Sequence, residues 1–452
     1  MRASFGKALK TILAVGCLSV AIAHAKEEPL RTVVFENVRI FDGKGSTLSA
    51  SSNVLVRGNK IEMISTAPIP TDRRGDAILI NGGGRTLMPG LIDAHWHAAM
   101  AATPMQVLLT ADIGYLDLLA GAAAEDTLMR GFTSIRDLSG PTFSLKRAID
   151  EGLVEGPRIW PSGAMISQSG GHGDFRMPYE MPAAANSPLS RGEVIKGGVI
   201  ADGADEVRKR VREQLALGAS HIKLAAGGGV ASNYDPIDVS QYTVNEFRAA
   251  VEAAENWGTY VTVHAYTPHA IRTAIAGGVK CIEHGQIMDE DSAKLMAEKG
   301  VWLSLQPFLD NDFANPFPEG SIQRAKQLQM FAGTDNAYKL AKKHKLKVAW
   351  GTDILFDPKL ATKQGAILAT MTQWYTPAEV LTMATSNNAE LLALSGLRNP
   401  YPGSLGVVEE GALADLLLVD GDPLSDIQPI ADPEKNLMVI MKDGRIYKNT
   451  AQ

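Results

Sequence analysis

Two histidines, His95 and His97, stand two residues apart at the end of an apolar run that finishes Asp-Ala-His-Trp-His. On an extended strand, residues i and i+2 point to the same face, so both imidazoles can reach one point. Neutral imidazole is the commonest metal-binding side chain in proteins. Because such a pair is also ordinary strand content, the metal interpretation depends on matching ligands at the ends of other strands.

Four more residues with ligand chemistry close later apolar runs. Lys223 lies in His-Ile-Lys-Leu-Ala-Ala, His264 ends Tyr-Val-Thr-Val-His, His284 ends Cys-Ile-Glu-His, and Asp353 ends Val-Ala-Trp-Gly-Thr-Asp. A single histidine in such a place is more often a hydrogen-bonded core residue than a ligand. Four histidines, a lysine and an aspartate, on the first, fourth, fifth, sixth and eighth predicted strands, together predict a metal centre.

The elements that would position these residues alternate in type along the chain. Short apolar runs at 87–94, 133–138, 158–163, 221–226, 260–265, 280–283, 302–307 and 347–352 are separated by helical patterns. This alternation predicts an α/β fold with a (β/α)8 TIM barrel, in which functional residues lie at the carboxyl ends of the strands. Capping-box patterns at Thr243 to Glu246 and Thr376 to Glu379 predict two helix starts.

Both ends of the chain alternate in strand fashion, at 33–41, 53–64, 77–81, 414–419 and 437–447. Neither end has enough strands for a useful sheet, so we expect them to combine in one small β-sandwich. The expected organisation is therefore a signal peptide at 1–25, sandwich segments at 26–86 and 401–452, and the barrel at 87–400. The Gly-, Pro- and Ser-rich stretch 168–203 has the character of a lid or binding loop.

The first residues predict export. Arg2, Lys7 and Lys10 precede the apolar stretch 12–23, and Ala-His-Ala up to Ala25 fits a signal-peptide cleavage site. We therefore expect a periplasmic or secreted protein, with lipidation at Cys17 left open as an alternative. Cleavage leaves a single cysteine and hence no intramolecular disulfide.

Composition excludes two classes of partner. A net charge of −6 and the absence of a dense Lys/Arg run give no reason to expect nucleic acid. After the leader, no apolar run is long enough for a transmembrane helix.

Together these residues make the chain resemble the amidohydrolase superfamily, in its binuclear branch with a carbamylated lysine. Two stretches resemble the segment by which the chain of family members re-enters the β-sandwich. They are Gly-Ser-Leu-Gly at 403–406 and Glu-Gly-Ala-Leu-Ala-Asp-Leu at 410–416. More narrowly, 131–137 and 170–174 are similar to an exported group with Xaa-Pro and Xaa-Arg/Lys dipeptidases and ochratoxin-hydrolysing amidases.

The resemblance implies two divalent ions, with zinc the first choice and manganese or cobalt left open. The implied ligands are His95, His97 and Asp353 on one ion and His264 and His284 on the other, bridged by carbamylated Lys223. An ammonium would be repelled there, whereas a buried lysine loses its proton readily and can take up CO2. A metal-bridging hydroxide would attack the amide carbon, and Asp353 would take its proton and pass it to the leaving nitrogen.

Two further residues are expected to contact the substrate. His172 lies in a glycine-flanked loop after the third strand, and the resemblance implies that it donates to the carbonyl oxygen; a surface histidine is the alternative. Tyr266 follows His264 by two residues and could bind a substrate carboxylate, with core packing as the alternative.

The sequence thus predicts an exported binuclear amidohydrolase that cleaves dipeptides or N-acyl amino acids, and the resemblance implies a homo-oligomer. A mononuclear cyclic amidine or imidazolone hydrolase, or a deaminase, is the first alternative, although Lys223 disfavours it. A non-catalytic metal-bearing scaffold is the second, and a small-ligand binding protein the third.

Overall fold

A computed structural model of the chain describes residues 31–71, 77–181, 187–314 and 316–451. The expected signal peptide and Cys17 lie outside the described residues. The described strands are β1 Thr32–Ile40, β2 Ser52–Arg57, β3 Lys60–Ser65, β4 Ile78–Asn81, β5 Thr86–Pro89, β6 Leu91–Trp96, β7 Phe132–Asp137, β8 Arg158–Pro161, β9 Met165–Ser167, β10 Gly198–Ile200, β11 Ile222–Ala225, β12 Val261–Ala265, β13 Cys281–His284, β14 Trp302–Leu305, β15 Val348–Trp350, β16 Leu416–Val419, β17 Leu437–Lys442 and β18 Arg445–Asn449.

Helices fill most of the connections between these strands. The described α-helices are α1 Met105–Thr110, α2 Ile113–Met129, α3 Thr142–Asp150, α4 Arg191–Val194, α5 Ala204–Ala216, α6 Val244–Glu255, α7 Pro268–Ala276, α8 Glu290–Lys299, α9 Ile322–Lys343, α10 Pro358–Ala361, α11 Gln364–Thr370, α12 Pro377–Thr382, α13 Asn388–Ala393, α14 Gln428–Ala431 and α15 Pro433–Asn436. Short 3-10 turns lie at Pro178–Glu180, Met371–Gln373 and Gly396–Arg398, and a π-helical turn at Met383–Asn387.

The two capping boxes are confirmed at the starts of α6 and α12. The Glu246 carboxylate accepts the backbone N–H of Thr243 at 2.8 Å, and Glu379 accepts that of Thr376 at 2.8 Å. Each reciprocal pair satisfies backbone donors that the first helical turn leaves without partners. No helix of the described part of the chain is both long and apolar enough to cross a membrane.

Strands from both ends of the chain combine, as the sequence predicts. Among the described strands, one eight-stranded mixed sheet has the order β18-β17-β16-β5-β1-β2-β3, with β4 paired to β1. Hairpins turn at Gly58 and Asn59 and at Asp443 and Gly444, where turn-forming residues stand in the sequence. Buried side chains from the two ends, such as Phe35 and Leu416, share one apolar core.

The remaining strands are parallel and alternate with helices. They pair in the orders β6-β7-β8 and β10-β9-β11-β12-β13-β14-β15. Hydrogen bonds outside these ladders connect the two groups: Ser220 N donates to Pro161 O at the end of β8, and Asp353 N donates to His95 O in β6. The architecture is thus α/β, with the strands that carry the predicted ligands lying side by side.

The structure corrects one strand prediction. The apolar run 87–94 is two strands rather than one, because Gly90 separates β5 from β6. Strand β5 pairs with β1 and β16 in the mixed sheet, whereas β6 pairs with β7 among the parallel strands. The chain therefore passes from one sheet to the other just before His95.

The stretch 168–203 is more ordered than a simple loop. Its described part contains the turn Pro178–Glu180, helix α4 and strand β10. Strand β10 pairs with β9, which returns the stretch to the parallel strands.

Candidate metal centre

The donor atoms of three predicted ligands converge at the carboxyl ends of β6 and β15. His95 Nε2 lies 3.2 Å and His97 Nε2 3.0 Å from the same atom, Asp353 Oδ1. His284 Nδ1 lies 4.0 Å from Asp353 Oδ2. One ligand atom each from His95, His284 and Asp353 fall within 4.8 Å of one another, as in a metal site without its ion.

His264 stands beside this group. Its ring centre is 4.4 Å from that of His284, and all five side chains line one cavity. The structure therefore brings together the four predicted histidine ligands and the aspartate.

Each of the four histidines directs one ring nitrogen to a protein acceptor. His95 Nδ1 donates to the Glu283 carboxylate at 3.0 Å and His284 Nδ1 to Gln306 Oε1 at 2.8 Å. His264 Nε2 donates to a backbone carbonyl at 2.9 Å, and His97 Nδ1 approaches another at 3.4 Å. These partners assign the tautomers. In these tautomers the second nitrogen of each ring is the one available to ligate a metal.

This tautomer assignment has an electrostatic consequence at Asp353. In these tautomers the Nε2 atoms of His97 and His95 face one carboxylate oxygen at 3.0 and 3.2 Å. Burial lowers the pKa of His97, His264 and His284; for His95 the effect of burial is outweighed by the Asp353 carboxylate, so its pKa is raised. A cation between these nitrogens and the carboxylate, whether a proton on His95 or a metal ion, would be attracted to both. The donor set fits a divalent metal.

Backbone geometry at two of these residues is also unusual. His284 has φ 78° and Asp353 φ 51°, a left-handed conformation that residues other than glycine seldom adopt. Such conformations concentrate at functional sites, where surrounding structure fixes them. Gly351 lies against the His95 backbone, and a Cβ there would stand 2.4 Å from His95 N. Only glycine lets β15 come this close to β6.

Lys223 is the sixth predicted ligand. It lies in β11, lines the same cavity and is only 2% exposed. Within the described part of the chain its Nζ has no hydrogen bond or ion pair, and burial lowers its pKa to about 8. A buried amine without a partner is readily present in the neutral form that reacts with CO2. The residue therefore fits a carbamate.

A buried ion pair, Arg136 with Glu283, contacts the ligand His95. Glu283 precedes His284 in β13 and accepts Arg136 Nη2 at 2.7 Å as well as His95 Nδ1. Thr262 also donates to it. Burial opposes ionisation, yet Arg136 and His95 hold the pKa of Glu283 well below its usual range. Glu283 thus fixes the ring of His95 through a charged acceptor.

The predicted oxyanion donor, His172, lies over His264. Their rings stack with centres 4.0 Å apart. Ser232 Oγ lies 2.9 Å from His172 Nδ1, and Asp235 Oδ2 lies 3.8 Å from the same atom. The Ser232 hydroxyl has one proton and faces both His172 Nδ1 and, at 3.3 Å, the Gly229 carbonyl; when it donates to Nδ1, the ring carries its own proton on Nε2. Burial lowers the pKa of His172 to about 4, so this ring is neutral.

A loop that the sequence did not single out holds His172 in place. Lys326 in α9 donates to the carbonyls of Gly229 and Ser232 at 2.9 and 2.8 Å. Gly229 packs closely against the His172 ring, because a Cβ at this position would lie 2.0 Å from His172 Nδ1. The backbone N–H of Gly229 in turn donates to Asp235 at 2.7 Å. The repeated glycines at 227–229 were the available sequence signal.

Tyr266 lines the cavity beside the metal ligands. Its ring centre is 4.7 Å from that of His264 and 5.0 Å from that of His284. No described residue hydrogen-bonds its hydroxyl, although the residue is only 4% exposed. By contrast, His221 stacks on Tyr260 and does not line the cavity.

The fold and this site define the class of the protein. The chain matches the sequence model of the amidohydrolase family over residues 86–447 and belongs to that family. It is 32% identical over 387 residues to ochratoxinase from Aspergillus niger, a match that covers 80% of this chain and 75% of that protein. The resemblance drawn from the sequence motifs is confirmed.

Two solved structures are also similar to this chain. It is similar to a prolidase complexed with N-methylphosphonate-L-proline, with 33% identity and a TM-score of 0.83 over 92% of this chain and 100% of that one. A Xaa-Pro dipeptidase with bound methionine in the active site gives a TM-score of 0.77 at 28% identity, over 92% and 100%. The fold is therefore the TIM-barrel type of the amidohydrolases.

Proposed function

We propose that the chain is an exported binuclear metal-dependent hydrolase of dipeptides or N-acyl amino acids. As an amidohydrolase it acts on amide or peptide C–N bonds. The observation that carries the binuclear proposal is the convergence of histidine nitrogens on Asp353, together with the buried Lys223, which has no hydrogen-bond partner among the described residues. A mononuclear hydrolase or deaminase would have no use for that lysine.

The fold proposal is a closed barrel of eight parallel strands, with β8 and β9 as one interrupted strand. The hydrogen bonds from Ser220 to Pro161 and from Asp353 to His95 support closure at the two gaps between the ladders. The mixed sheet would then form the sandwich next to it. In such a barrel the six predicted ligands share the catalytic end.

The residues present fit two metal ions. His95, His97 and Asp353 would hold one, His264 and His284 the other, and a carbamate on Lys223 would contribute an oxygen to each. When bound, two divalent ions would lower the pKa of a shared water and polarise the scissile carbonyl. Ligands of mixed nitrogen and oxygen character suit zinc first, and manganese or cobalt next.

The chain's own residues would perform the proton transfers and hold the substrate. Asp353 takes a proton from the attacking water at Oδ2 and passes it to the leaving nitrogen. His172 donates from Nε2–H to the carbonyl oxygen as negative charge develops there. The Tyr266 hydroxyl, which has no described partner, donates to the free carboxylate of the substrate.

The relatives support a substrate that ends in a free carboxylate. The prolidase structure contains an N-methylphosphonate derivative of L-proline, and the dipeptidase structure contains methionine. Both ligands present an amino-acid carboxylate. This chain would therefore release an amino acid from an amide of similar form.

The test is hydrolysis by the purified mature protein. Its release of free amino acid from a panel of N-acyl amino acids and dipeptides should be lost after treatment with a chelator and restored by zinc with bicarbonate. His172→Asn should lose most of this activity, whereas His269→Asn, which removes an exposed histidine, should retain it. No hydrolysis after metal and bicarbonate loading would contradict the proposal.

Export has a separate test. Expression of the full chain in a Gram-negative host should give a periplasmic protein whose amino terminus begins at Lys26. A protein retained in the cytoplasm with its first residues intact would contradict this part of the proposal.

A further inference from the structure

The cavity above the ligand cluster has an aromatic wall. Half of the chain's twelve phenylalanines are described residues that line it: Phe175, Phe308, Phe313, Phe317, Phe331 and Phe356. All six are half-buried, so part of each ring surface is exposed to the cavity and is not packed in the core. They come from the loop after β9, the segment from β14 into α9, and the turn after β15.

This wall extends to the reacting centre. The Phe308 ring stacks over His284 with centres 6.1 Å apart. Phe308, Phe331, Met330 and Tyr266 pack in one apolar cluster. A substrate group that contacts the wall therefore lies next to the bond that is cleaved.

The charged side chains of the cavity are already assigned. Among the described residues that line it, Asp353 is the only carboxylate and Lys223 the only cation other than histidine, and both belong to the proposed metal centre. Two further charges lie close by. Asp235, whose Oδ2 is 3.8 Å from His172 Nδ1, accepts from Gly229 through that oxygen, while its buried Oδ1 has no described partner; Lys326 donates to two carbonyls. Among the described residues that line the cavity, Tyr266 is thus left as a donor for a substrate carboxylate, and no carboxylate outside the proposed metal centre is left for a cation.

A buried charge needs a partner of opposite sign, whereas an apolar group gains by leaving water. We infer that the acyl half of the substrate is an uncharged aromatic or large aliphatic group, so that N-acyl amino acids are favoured over dipeptides with a free α-ammonium. This inference rests on the proposed function and selects between its two substrate classes. The wall takes the acyl group, and the Tyr266 hydroxyl takes the carboxylate.

The experiment compares compounds that differ only in the acyl half. N-benzoyl-L-phenylalanine is set against L-phenylalanyl-L-phenylalanine, with N-acetyl-L-phenylalanine as the small neutral reference, and the set is repeated with L-proline as the leaving amino acid. At pH 7, kcat/KM should be at least tenfold higher for the benzoyl compound than for the dipeptide. The dipeptide should improve as the pH rises past about 8, where its α-amino group loses its proton.

A wall variant separates specificity from a general effect on the enzyme. Phe331→Ala should lower kcat/KM about tenfold for the benzoyl compound and less than twofold for the acetyl compound, because only the larger group reaches the wall. Leu328→Ala is the matched control, since this residue lies on the same helix, is exposed and does not line the cavity.

Three outcomes overturn the inference. Dipeptides that are cleaved as well as the benzoyl compounds at pH 7 would show that an α-ammonium is accepted, while the proposed hydrolase would stand. If Phe331→Ala lowered kcat/KM equally for the benzoyl and acetyl substrates, the wall would support the structure of the site and would not select the acyl group. Hydrolysis of none of the compounds would remove both the proposed function and this inference.

Discussion

The substitution Gly229→Ala tests the catalytic role of His172 without changing His172 itself. The new Cβ would stand 2.0 Å from Nδ1 and 2.2 Å from Cε1 of that ring, whereas ordinary contact begins at 3.4 Å. The ring must therefore move by about 3.4 − 2.0 = 1.4 Å. Because a displacement of about 1 Å from the productive geometry can lower a rate 10²-fold, kcat should fall by about that factor. This corresponds to about 2.7 kcal/mol of transition-state stabilisation.

The assay is kcat on a cleaved N-acyl amino acid, with metal content and thermal unfolding measured on the same preparations. Metal content should stay at the wild-type level, because neither Gly229 nor His172 is a proposed ligand. Gly121→Ala is the control: its Cβ in α2 would have its nearest neighbour, Val154 Cγ1, at 3.7 Å. That variant should match the wild type in kcat.

A double-mutant cycle makes the argument sharper. If Gly229 acts through His172, adding Gly229→Ala to His172→Asn should lower kcat by less than twofold further. A Gly229→Ala enzyme with full metal content and wild-type kcat would refute the reasoning, since the ring would then be either free to shift or irrelevant to the reaction.

The remaining predictions concern the ligands, their support and the fold. Lys223→Ala should lose activity and much of its metal, with partial rescue by short carboxylic acids; full activity in this variant would exclude a bridging carbamate. His172→Asn should keep its metal, and its kcat should fall about 10²-fold or more. An unchanged kcat would show that His172 does not take part in catalysis. Glu283→Gln should weaken metal binding about 10- to 100-fold in a chelator competition, and an unchanged affinity would show that His95 needs no charged acceptor. Burial lowers the pKa of Lys442 to about 8, below the roughly 10.4 of a lysine in an unfolded chain. Between these two pH values the unfolded state therefore binds more protons than the folded state. Raising the pH through this window should increase the free energy of unfolding of the wild type relative to that of Lys442→Met. A stability difference that stays constant with pH would contradict that shift.

The clustering of the candidate ligands could be predicted because it depends on local pattern. An apolar run followed by His95 and His97, or by Asp353, indicates a buried strand and its end, and parallel strands end at the same edge. The structure brings the predicted histidines and Asp353 to one cavity, as that logic requires. Positive φ at His284 and Asp353 could not be read from the sequence, since it follows from tertiary contacts.

The supporting residues were missed because their partners are distant in sequence. Glu283 bonds His95 across 188 positions, and Lys326 reaches the Gly229 carbonyl across 97. No periodicity links such pairs, and Lys326 falls on a helix whose pattern shows only ordinary amphipathicity. For Glu283 the local signal was a buried charge next to a predicted ligand, Glu283-His284.

The divided strand at 86–96 was missed for a different reason. Hydrophobicity runs through Leu87 to Ala94 with little interruption, so the pattern is that of one buried strand. Pro89 and Gly90 marked the break, since neither residue suits the centre of a sheet. Tertiary pairing decided the outcome, with β5 joining the mixed sheet and β6 the parallel one.

The central claim is a binuclear centre bridged by Lys223, and metal stoichiometry tests it most directly. The purified protein, loaded with zinc and bicarbonate and freed of excess metal, should contain two divalent ions per chain by inductively coupled plasma mass spectrometry. The account predicts that Lys223→Ala prepared in parallel contains fewer. A wild-type protein that binds a single ion, or none, would contradict it.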